Sequence, residues 1–305
     1  MDKKVSLGIY FAFVTAVISG FANYFSAVAV KIVANPYIFT TVKNVLVGLA
    51  LCSIFVLIKN REEIKKLKIR DWLILILIGL IGGCIPFLLF FKGLSLSTPV
   101  LGGFIHKSLF IWVSILAIIF LREKLGKVQW LALALLILGN YFLGAFKTFK
   151  FGQGEMLIMI AVILWAVEFT VAKKALERIS PQVVSWARMF IGSIFLIAYL
   201  FATKQSAGIL HLTPVAMLWT VLMSAFLFGY VFFWYRALKF APASVVSSIL
   251  VIGSPITTIL SIFFVSGYKF SQNGVYGLIL IMVGILVFLF FQPRNQLTAK
   301  SSVPC

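Results

Sequence analysis

Five side chains with charge or acid–base chemistry lie inside long apolar stretches of this sequence. They are Lys43, His106, Lys107, Glu168 and Arg188. A charge held in hydrocarbon costs ~2.5 kcal/mol or more, so such residues usually face a cavity or a partner and not lipid. Cations in that setting bind carboxylates or phosphates, and a buried carboxylate serves as a counter-ion or a proton carrier. The pattern predicts a polar cavity that binds a small charged molecule.

The depths of these side chains predict which of them meet. At ~1.5 Å per helical residue, Lys43 and Lys107 lie ~10 to 12 Å below one membrane face, Glu168 ~18 Å and Arg188 ~20 Å. Glu168 is therefore expected to pair with Arg188, but a boundary error of three residues, ~4.5 Å, lets it reach Lys107 instead. Bracing of helices or contact with headgroups is the alternative role for Lys43 and Arg188. Lys107 is the foremost site candidate, and His106 ranks below it because adjacent helical residues face ~100° apart.

Aromatic side chains that share a helix face are the candidate walls of this cavity. Trp165 lies three residues before Glu168, and Tyr230 lies four before Trp234, so each pair shares a face. Two further rings belong to the predicted set, Tyr24 and Trp112. The chain has 31 phenylalanines, so most other rings are expected to pack against helices or lipid.

The composition is that of a membrane protein. Hydrophobic residues make up 62% of the 305 residues, charged residues 11%, and the mean hydropathy is +1.10, which is more apolar surface than one soluble core can bury. The net charge of +19 is of the size seen in nucleic-acid-binding proteins, but the cations flank apolar segments and form no basic tract with aromatics. The bilayer, and not nucleic acid, is the expected partner of this surface.

Ten apolar runs are near 20 residues long, the length that spans a bilayer as a helix. They are Val5–Val30, Pro36–Ile58, Trp72–Phe91, Pro99–Leu121, Val128–Phe146, Met156–Leu176, Pro181–Ala202, Pro214–Tyr235, Ala243–Val265 and Gly274–Phe291. Eighteen lysines and arginines fall on the side of both termini and six on the other side. Because positively charged loops stay in the cytoplasm, both termini are expected there, with the chain in the inner membrane of a prokaryotic cell.

An internal duplication relates the two halves of the chain. Five pairs of residues recur at separations of 144 to 146: Gly8 and Gly154, Pro36 and Pro181, Lys43 and Arg188, Leu94 and Leu238, Gly139 and Gly284. Five segments in each half force the second half to enter the membrane inverted, as in many secondary transporters. The predicted fold is all-α, with repeats at 1–146 and 147–292 and a cytoplasmic tail at 293–305.

Three stretches carry a family resemblance. Phe90–Gly126 (FFKGLSLSTPVLGGFIHKSLFIWVSILAIIFLREKLG), Arg236–Phe264 and the LWAVEF of Leu164–Phe169 resemble EamA-type members of the drug/metabolite transporter superfamily. The resemblance covers about Gly8–Phe291. Glu123 matches the family's glutamate after the fourth helix, and the second half lacks it. The resemblance implies a central cavity lined mainly by segments 1, 3, 4, 6, 8 and 9, with segments 5 and 10 peripheral.

The expected function is secondary transport of a small organic metabolite, in the first instance export, by alternating access at a midplane cavity. Three cations against one anion favour an anionic or zwitterionic substrate such as an amino acid or a carboxylate. A sugar-phosphate or nucleotide-sugar carrier and a multidrug cation exporter are the alternatives.

A membrane-embedded enzyme is the competing class of protein. The chain has two histidines, and its only aspartates, Asp2 and Asp71, lie near the surface, which leaves few groups for acid–base catalysis. We therefore expect no catalysis, no cofactor and no metal site. Protons are a candidate coupling ion, and the protein is expected to work as a monomer or a homodimer.

Overall fold

A computed structural model describes residues 3–57, 61–97, 99–144, 151–264 and 271–290. Ten helical segments fill these ranges: α1 Lys3–Val33, α2 Pro36–Leu57, α3 Ile69–Leu96, α4 Pro99–Lys107 continued by Leu109–Leu121, α5 Lys127–Gly144, α6 Gln153–Ala175, α7 Pro181–Ala202, α8 Pro214–Phe240, α9 Ala243–Phe264 and α10 Gln272–Phe290. Nine of them are long and apolar enough to cross a membrane, and α5 is a shorter apolar helix. The predicted all-α, ten-helix fold is confirmed, while the predicted tail at 293–305 lies outside the described residues.

The observed helices differ from the predicted segments mainly at their ends. The largest difference is in α3, which begins before Trp72 and ends after Phe91 because its polar terminal turns are helical as well. The polar linker before α3 contains a short helix, Arg61–Lys65. Two faces of the bundle follow from the path of the chain. We call the face where α1 begins, at Lys3, the terminal face, and the face where α1 ends, at Val33, the opposite face.

Three helices begin with a polar residue followed by proline. The Asn35 side chain accepts hydrogen bonds from the backbone of Tyr37 (2.9 Å) and Ile38 (3.2 Å) at the start of α2. Ser180 and Thr213 cap α7 and α8 in the same way. A side-chain oxygen satisfies an otherwise unpaired N–H, and proline at the first helical position has no N–H to satisfy. These caps fix where the chain re-enters the apolar layer.

The helices pack with the symmetry that an inverted repeat requires. The packing of α1 on α8 has its counterpart in the packing of α3 on α6, because α1 and α6 are equivalent helices, as are α3 and α8. The pairs α2 with α7 and α5 with α10 join each helix to its own repeat mate. The α5–α10 pair lies at the periphery of the bundle, as the family resemblance implies.

Glycines allow the repeat mates α5 and α10 to approach closely. A β-carbon at Gly277 would lie 2.7 Å from the Gly139 carbonyl oxygen and 2.7 Å from the Leu143 nitrogen. A β-carbon at Gly139 would likewise lie 2.9 Å from the Gly277 oxygen. Such contacts between backbones are a main source of helix association in lipid, where burial of apolar surface gives little.

Replacing Gly277 by alanine is expected to destabilise the fold by about 1 to 3 kcal/mol, because the backbone of α5 must move away. Thermal unfolding of the purified protein in detergent measures the change. Gly103→Ala is the matched control, since a β-carbon there has no atom within 4 Å. Equal melting temperatures for the two variants would contradict the close approach.

Candidate functional site

A cavity of about 100 Å³ lies between the two halves of the bundle. Its lining side chains come from α1, α2, α3, α4, α6, α7 and α8. On α1 the lining runs from Ser19 to Ser26, in the half of that helix nearer the opposite face. Helices α2 and α7, which the family resemblance left out of the lining, contribute Lys43 and Arg188. These are the two cations at equivalent positions of the repeats.

The cavity brings together seven of the ten residues predicted from sequence. They are Lys43, His106, Trp165, Glu168, Arg188, Tyr230 and Trp234. The rings of Tyr230 and Trp234 stack on one face of α8 with centroids 5.4 Å apart, as their spacing predicts. Tyr24 packs against Phe25 and Phe264 outside this lining, and Trp112 is also not part of it.

Glu168 pairs with Arg188, the first of the two partners expected from helix depth. The guanidinium lies 3.9 Å from one carboxylate oxygen, and the Tyr235 hydroxyl donates a hydrogen bond of 2.5 Å to the other. Both charged side chains are almost fully buried, with 2% and 5% of their surface exposed. Both oxygens of the Glu168 carboxylate are therefore engaged, one by the Arg188 guanidinium and the other by the Tyr235 hydroxyl.

A widened turn of α3 supplies an acceptor to the same cluster. Residues Gly79–Cys84 form a π-helical turn, and the Gly82 carbonyl accepts hydrogen bonds from Arg188 (3.2 Å) and from the Trp165 indole (3.1 Å). A β-carbon at Gly82 would lie 2.6 Å from the Glu168 side chain. Only glycine at this position leaves room for the Glu168 carboxylate beside α3. The π-helical turn itself is a feature that often occurs at functional sites.

Lys43 also enters the cavity, but it has no anionic partner. Its ammonium lies over three rings, at 3.8 Å from the centroid of Phe91, 5.0 Å from Phe87 and 5.1 Å from Phe39. No hydrogen bond or ion pair reaches it from the described part of the chain. The aromatic faces attract the cation, though less strongly than a carboxylate does. Only 3% of Lys43 is exposed, so this is a buried charge with unused hydrogen-bonding capacity.

Further donors in the cavity are also without partners. The Asn23 amide nitrogen, the Trp234 indole nitrogen and the Arg188 Nε are buried, line the cavity and make no hydrogen bond within the described residues. The Lys43 ammonium brings the number of such donor groups to four. Buried donors left unpaired cost free energy, so a ligand rich in acceptors is the natural complement of this lining.

Lys107 lies beside this cavity and not in its lining. Its ammonium points into a neighbouring pocket of about 20 Å³, where it donates long hydrogen bonds of 3.4 Å to the Ser19 hydroxyl and to the Leu250 carbonyl. His106 faces the main cavity instead, with its ring against Phe90 and Trp165. The ~100° between adjacent helical residues separates the two side chains, and α4 turns His106 toward the centre.

Several residues that contact the charged side chains of the site lie outside the set predicted from the sequence. Phe87 and Phe91 hold Lys43, and Tyr235 holds Glu168, but none belonged to the predicted set. Nothing distinguishes the two phenylalanines from the other rings in so apolar a chain. Tyr235 carried a usable signal, because a hydroxyl in the middle of a membrane helix needs a partner.

The bundle is closed on the terminal face, below the cavity. The Lys173 ammonium at the end of α6 donates to the carbonyls of Leu238 (2.5 Å) and Ala241 (2.6 Å) at the end of α8. In return, the Lys239 ammonium donates to the Leu176 carbonyl at the end of α6. Each cation neutralises the negative end of the other helix dipole. These contacts join α6 to α8 at the terminal face, while the cavity lies nearer the opposite face.

Two inverted five-helix halves around a charged, buried cavity define a membrane transporter. The chain belongs to the EamA-like transporter family, whose sequence pattern matches residues 6–145 and again residues 152–290. The two matches give each half of the chain the same family identity.

Similar proteins agree with this assignment. "Uncharacterized transporter YyaM" of Bacillus subtilis is 25% identical over 252 residues, which cover 78% of this chain and 80% of that protein. An uncharacterized transporter of Haemophilus influenzae is 28% identical over 72% of this chain and 71% of its own length. A protein of known crystal structure shares the fold, with a TM-score of 0.75 over 95% of this chain and 99% of its own, at 14% identity.

Removing the partner of Arg188 is expected to be costly. Glu168→Ala leaves a buried guanidinium without its carboxylate and should lower the free energy of unfolding by about 3 kcal/mol. The double variant Glu168→Ala/Arg188→Met removes both charges and should recover most of that loss. Thermal unfolding in detergent gives the coupling, and additive effects of the single and double variants would show that the pair does not interact.

Proposed function

We propose that this transporter carries a small anionic or zwitterionic metabolite, such as an amino acid or a carboxylate, and that Lys43 binds its negative group. The observation that carries the proposal is the unpartnered Lys43 ammonium within the cavity lining. Because Arg188 and Glu168 compensate each other, Lys43 leaves this lining with one net positive charge. An anion entering the cavity would supply the missing partner.

The other unpaired donors support the same substrate class. A carboxylate offers about four acceptor positions, which matches the Lys43 ammonium together with Asn23, Arg188 Nε and the Trp234 indole. The remaining walls are aromatic, including Phe90 and Trp165, and they suit an apolar body attached to the charged group. A lipophilic cation would have to compete with Arg188 for Glu168 and would leave Lys43 unpaired, so this lining favours it less.

Transport by alternating access fits the difference between the two faces of the bundle. The lysine contacts at the terminal face, made by Lys173 and Lys239, hold that end shut while the cavity lies nearer the opposite face. In the alternative state, α1 and α8 would adopt the packing now seen between α3 and α6, and α3 and α6 would adopt that of α1 and α8. This exchange would open the terminal face and close the opposite face. The substrate is moved without chemical change in this proposal.

The substrate class is testable by ligand-induced stabilisation of the purified protein. Benzoate, L-phenylalanine, inorganic phosphate and tetraphenylphosphonium form a suitable panel, since a ligand at 100 times its Kd stabilises by about 2.7 kcal/mol. We expect benzoate or L-phenylalanine to raise the melting temperature of the wild type, and Lys43→Met to weaken that binding at least about tenfold.

Lys31→Met is the matched control for this experiment. Lys31 lies exposed near the end of α1, so its loss removes one positive charge without touching the cavity. It should bind the panel as the wild type does. Stabilisation by tetraphenylphosphonium alone, unaffected by Lys43→Met, would overturn the proposed substrate class.

We also propose that the terminal face is cytoplasmic, as the lysine and arginine distribution predicts. Leu210 is 86% exposed in the turn before α8, on the opposite face, and Ile69 is 78% exposed at the start of α3, on the terminal face. In a background without native cysteines, Leu210→Cys should react with an impermeant maleimide in intact cells, and Ile69→Cys only after permeabilisation. The reverse labelling pattern would invert the assigned orientation.

A further inference from the structure

Lys107 occupies a place in the fold where two helix interruptions meet. Helix α4 is interrupted by a single turn residue, Ser108, between Lys107 and Leu109, and α9 is interrupted by a 3₁₀ turn at Leu250–Ile252. The interruptions lie at equivalent positions of the two repeats. Discontinuous helices in inverted-repeat transporters typically form ion and substrate sites, because their free backbone groups replace water.

The Lys107 ammonium is fitted closely against the interrupted helix. It donates to the Leu250 carbonyl of α9 and to Ser19 of α1, each at 3.4 Å. A β-carbon at Gly253 would lie 2.6 Å from the ammonium nitrogen, so glycine is what lets α9 approach it. One side chain therefore connects α4 to α1 and α9, and the connection changes if these helices move apart.

No anion compensates this charge in the described ranges, where the acceptors of Lys107 are a hydroxyl and a carbonyl. The titratable groups near it are His106 on α4 and Tyr230 on α8, which line the same small pocket. Helices α1 and α9 present only neutral groups, Ser19, Ser247 and the Leu250 carbonyl. The charged groups of the main cavity, on α2, α6 and α7, face that cavity and make no contact with Lys107. Lys43 differs from it, because three aromatic faces lie over the Lys43 ammonium and favour its charged form, whereas Lys107 has only two long hydrogen bonds to neutral acceptors.

The small pocket adjoins the main cavity, and four side chains border both spaces. Ser19, His106, Leu109 and Tyr230 line both spaces. The pocket has a volume of about 20 Å³, which is enough for about one water molecule. The amine therefore lies beside the main cavity, from which water would reach it past these four side chains.

We propose that Lys107 is the proton-binding site that couples this transporter to a proton gradient. The lysine amine takes one proton from water in the cavity and becomes the ammonium that holds α1 and α9. When those helices separate, the N–H bond breaks heterolytically, one proton returns to water and the neutral amine remains. Glu168 is less suited to this role because Arg188 and Tyr235 already engage both of its oxygens.

The inference rests on the proposed transport function, but its test needs no substrate. The probe is the proton itself: full-length protein in proteoliposomes on a solid-supported membrane receives a step from alkaline to neutral pH, and the displaced charge is recorded. We expect a transient current from the wild type and a loss of about tenfold in Lys107→Met. Thermal unfolding of each variant confirms that it is folded.

Three further variants make the result specific. His106→Gln and Tyr230→Phe remove the other titratable groups of the small pocket and should retain most of the current that Lys107→Met loses. Gly253→Ala keeps Lys107 but presses a β-carbon against its ammonium, and should slow or diminish the current. A wild type that displaces no charge, or a current kept in Lys107→Met and lost in Lys43→Met or Glu168→Gln, would overturn the proposal. The ligand panel is independent of this experiment, so failure of the substrate assignment is distinguishable from failure of the proton site.

Discussion

The centre of this protein depends on how buried charges are compensated where there is almost no water. Lys43 and Arg188 stand at equivalent positions of the two repeats and reach one cavity, yet only Arg188 meets a carboxylate. The pair of Arg188 with Glu168 joins α7 to α6, and the Gly82 carbonyl adds α3 to the same cluster. Lys43 is left with aromatic faces alone. The two equivalent cations therefore differ, and among the described residues the cavity holds one cation that no anion compensates.

The surrounding architecture maintains that asymmetry. Glycine contacts bring α5 and α10 together at the periphery, so the other eight helices are free to surround the centre. The π-helical turn Gly79–Cys84 makes room for the Glu168 side chain and presents a carbonyl to Arg188 and Trp165. The lysines Lys173 and Lys239 close the terminal face. The positions equivalent to these two lysines in the first repeat are Val28 and Ser95. The first repeat therefore has no lysine pair with which to close the opposite face in the same way.

The sequence predicts the global fold because each of its signals is local. Apolar runs, alternating positive loops and a repeat of about 145 residues require ten helices in two inverted sets, and the structure and the family match agree. Helix depth alone also predicts that Glu168 meets Arg188, since both lie near the same level. The placement of Lys107 could not be predicted in this way, because it depends on interruptions in α4 and α9 that turn its side chain toward Leu250. The three rings around Lys43 were equally inaccessible, since their selection comes from tertiary packing.

The decisive experiment on the charge of the cavity is to locate bound anions and cations in the folded protein. Crystals of the wild type soaked in bromide, and separately in rubidium, reveal both kinds of ion by anomalous scattering. If Lys43 is the anion-binding group, an ordered bromide lies beside its ammonium, within reach of Asn23 and Arg188 Nε, and is absent in Lys43→Met. A cavity that binds rubidium beside Glu168 and admits no bromide would contradict the role of Lys43.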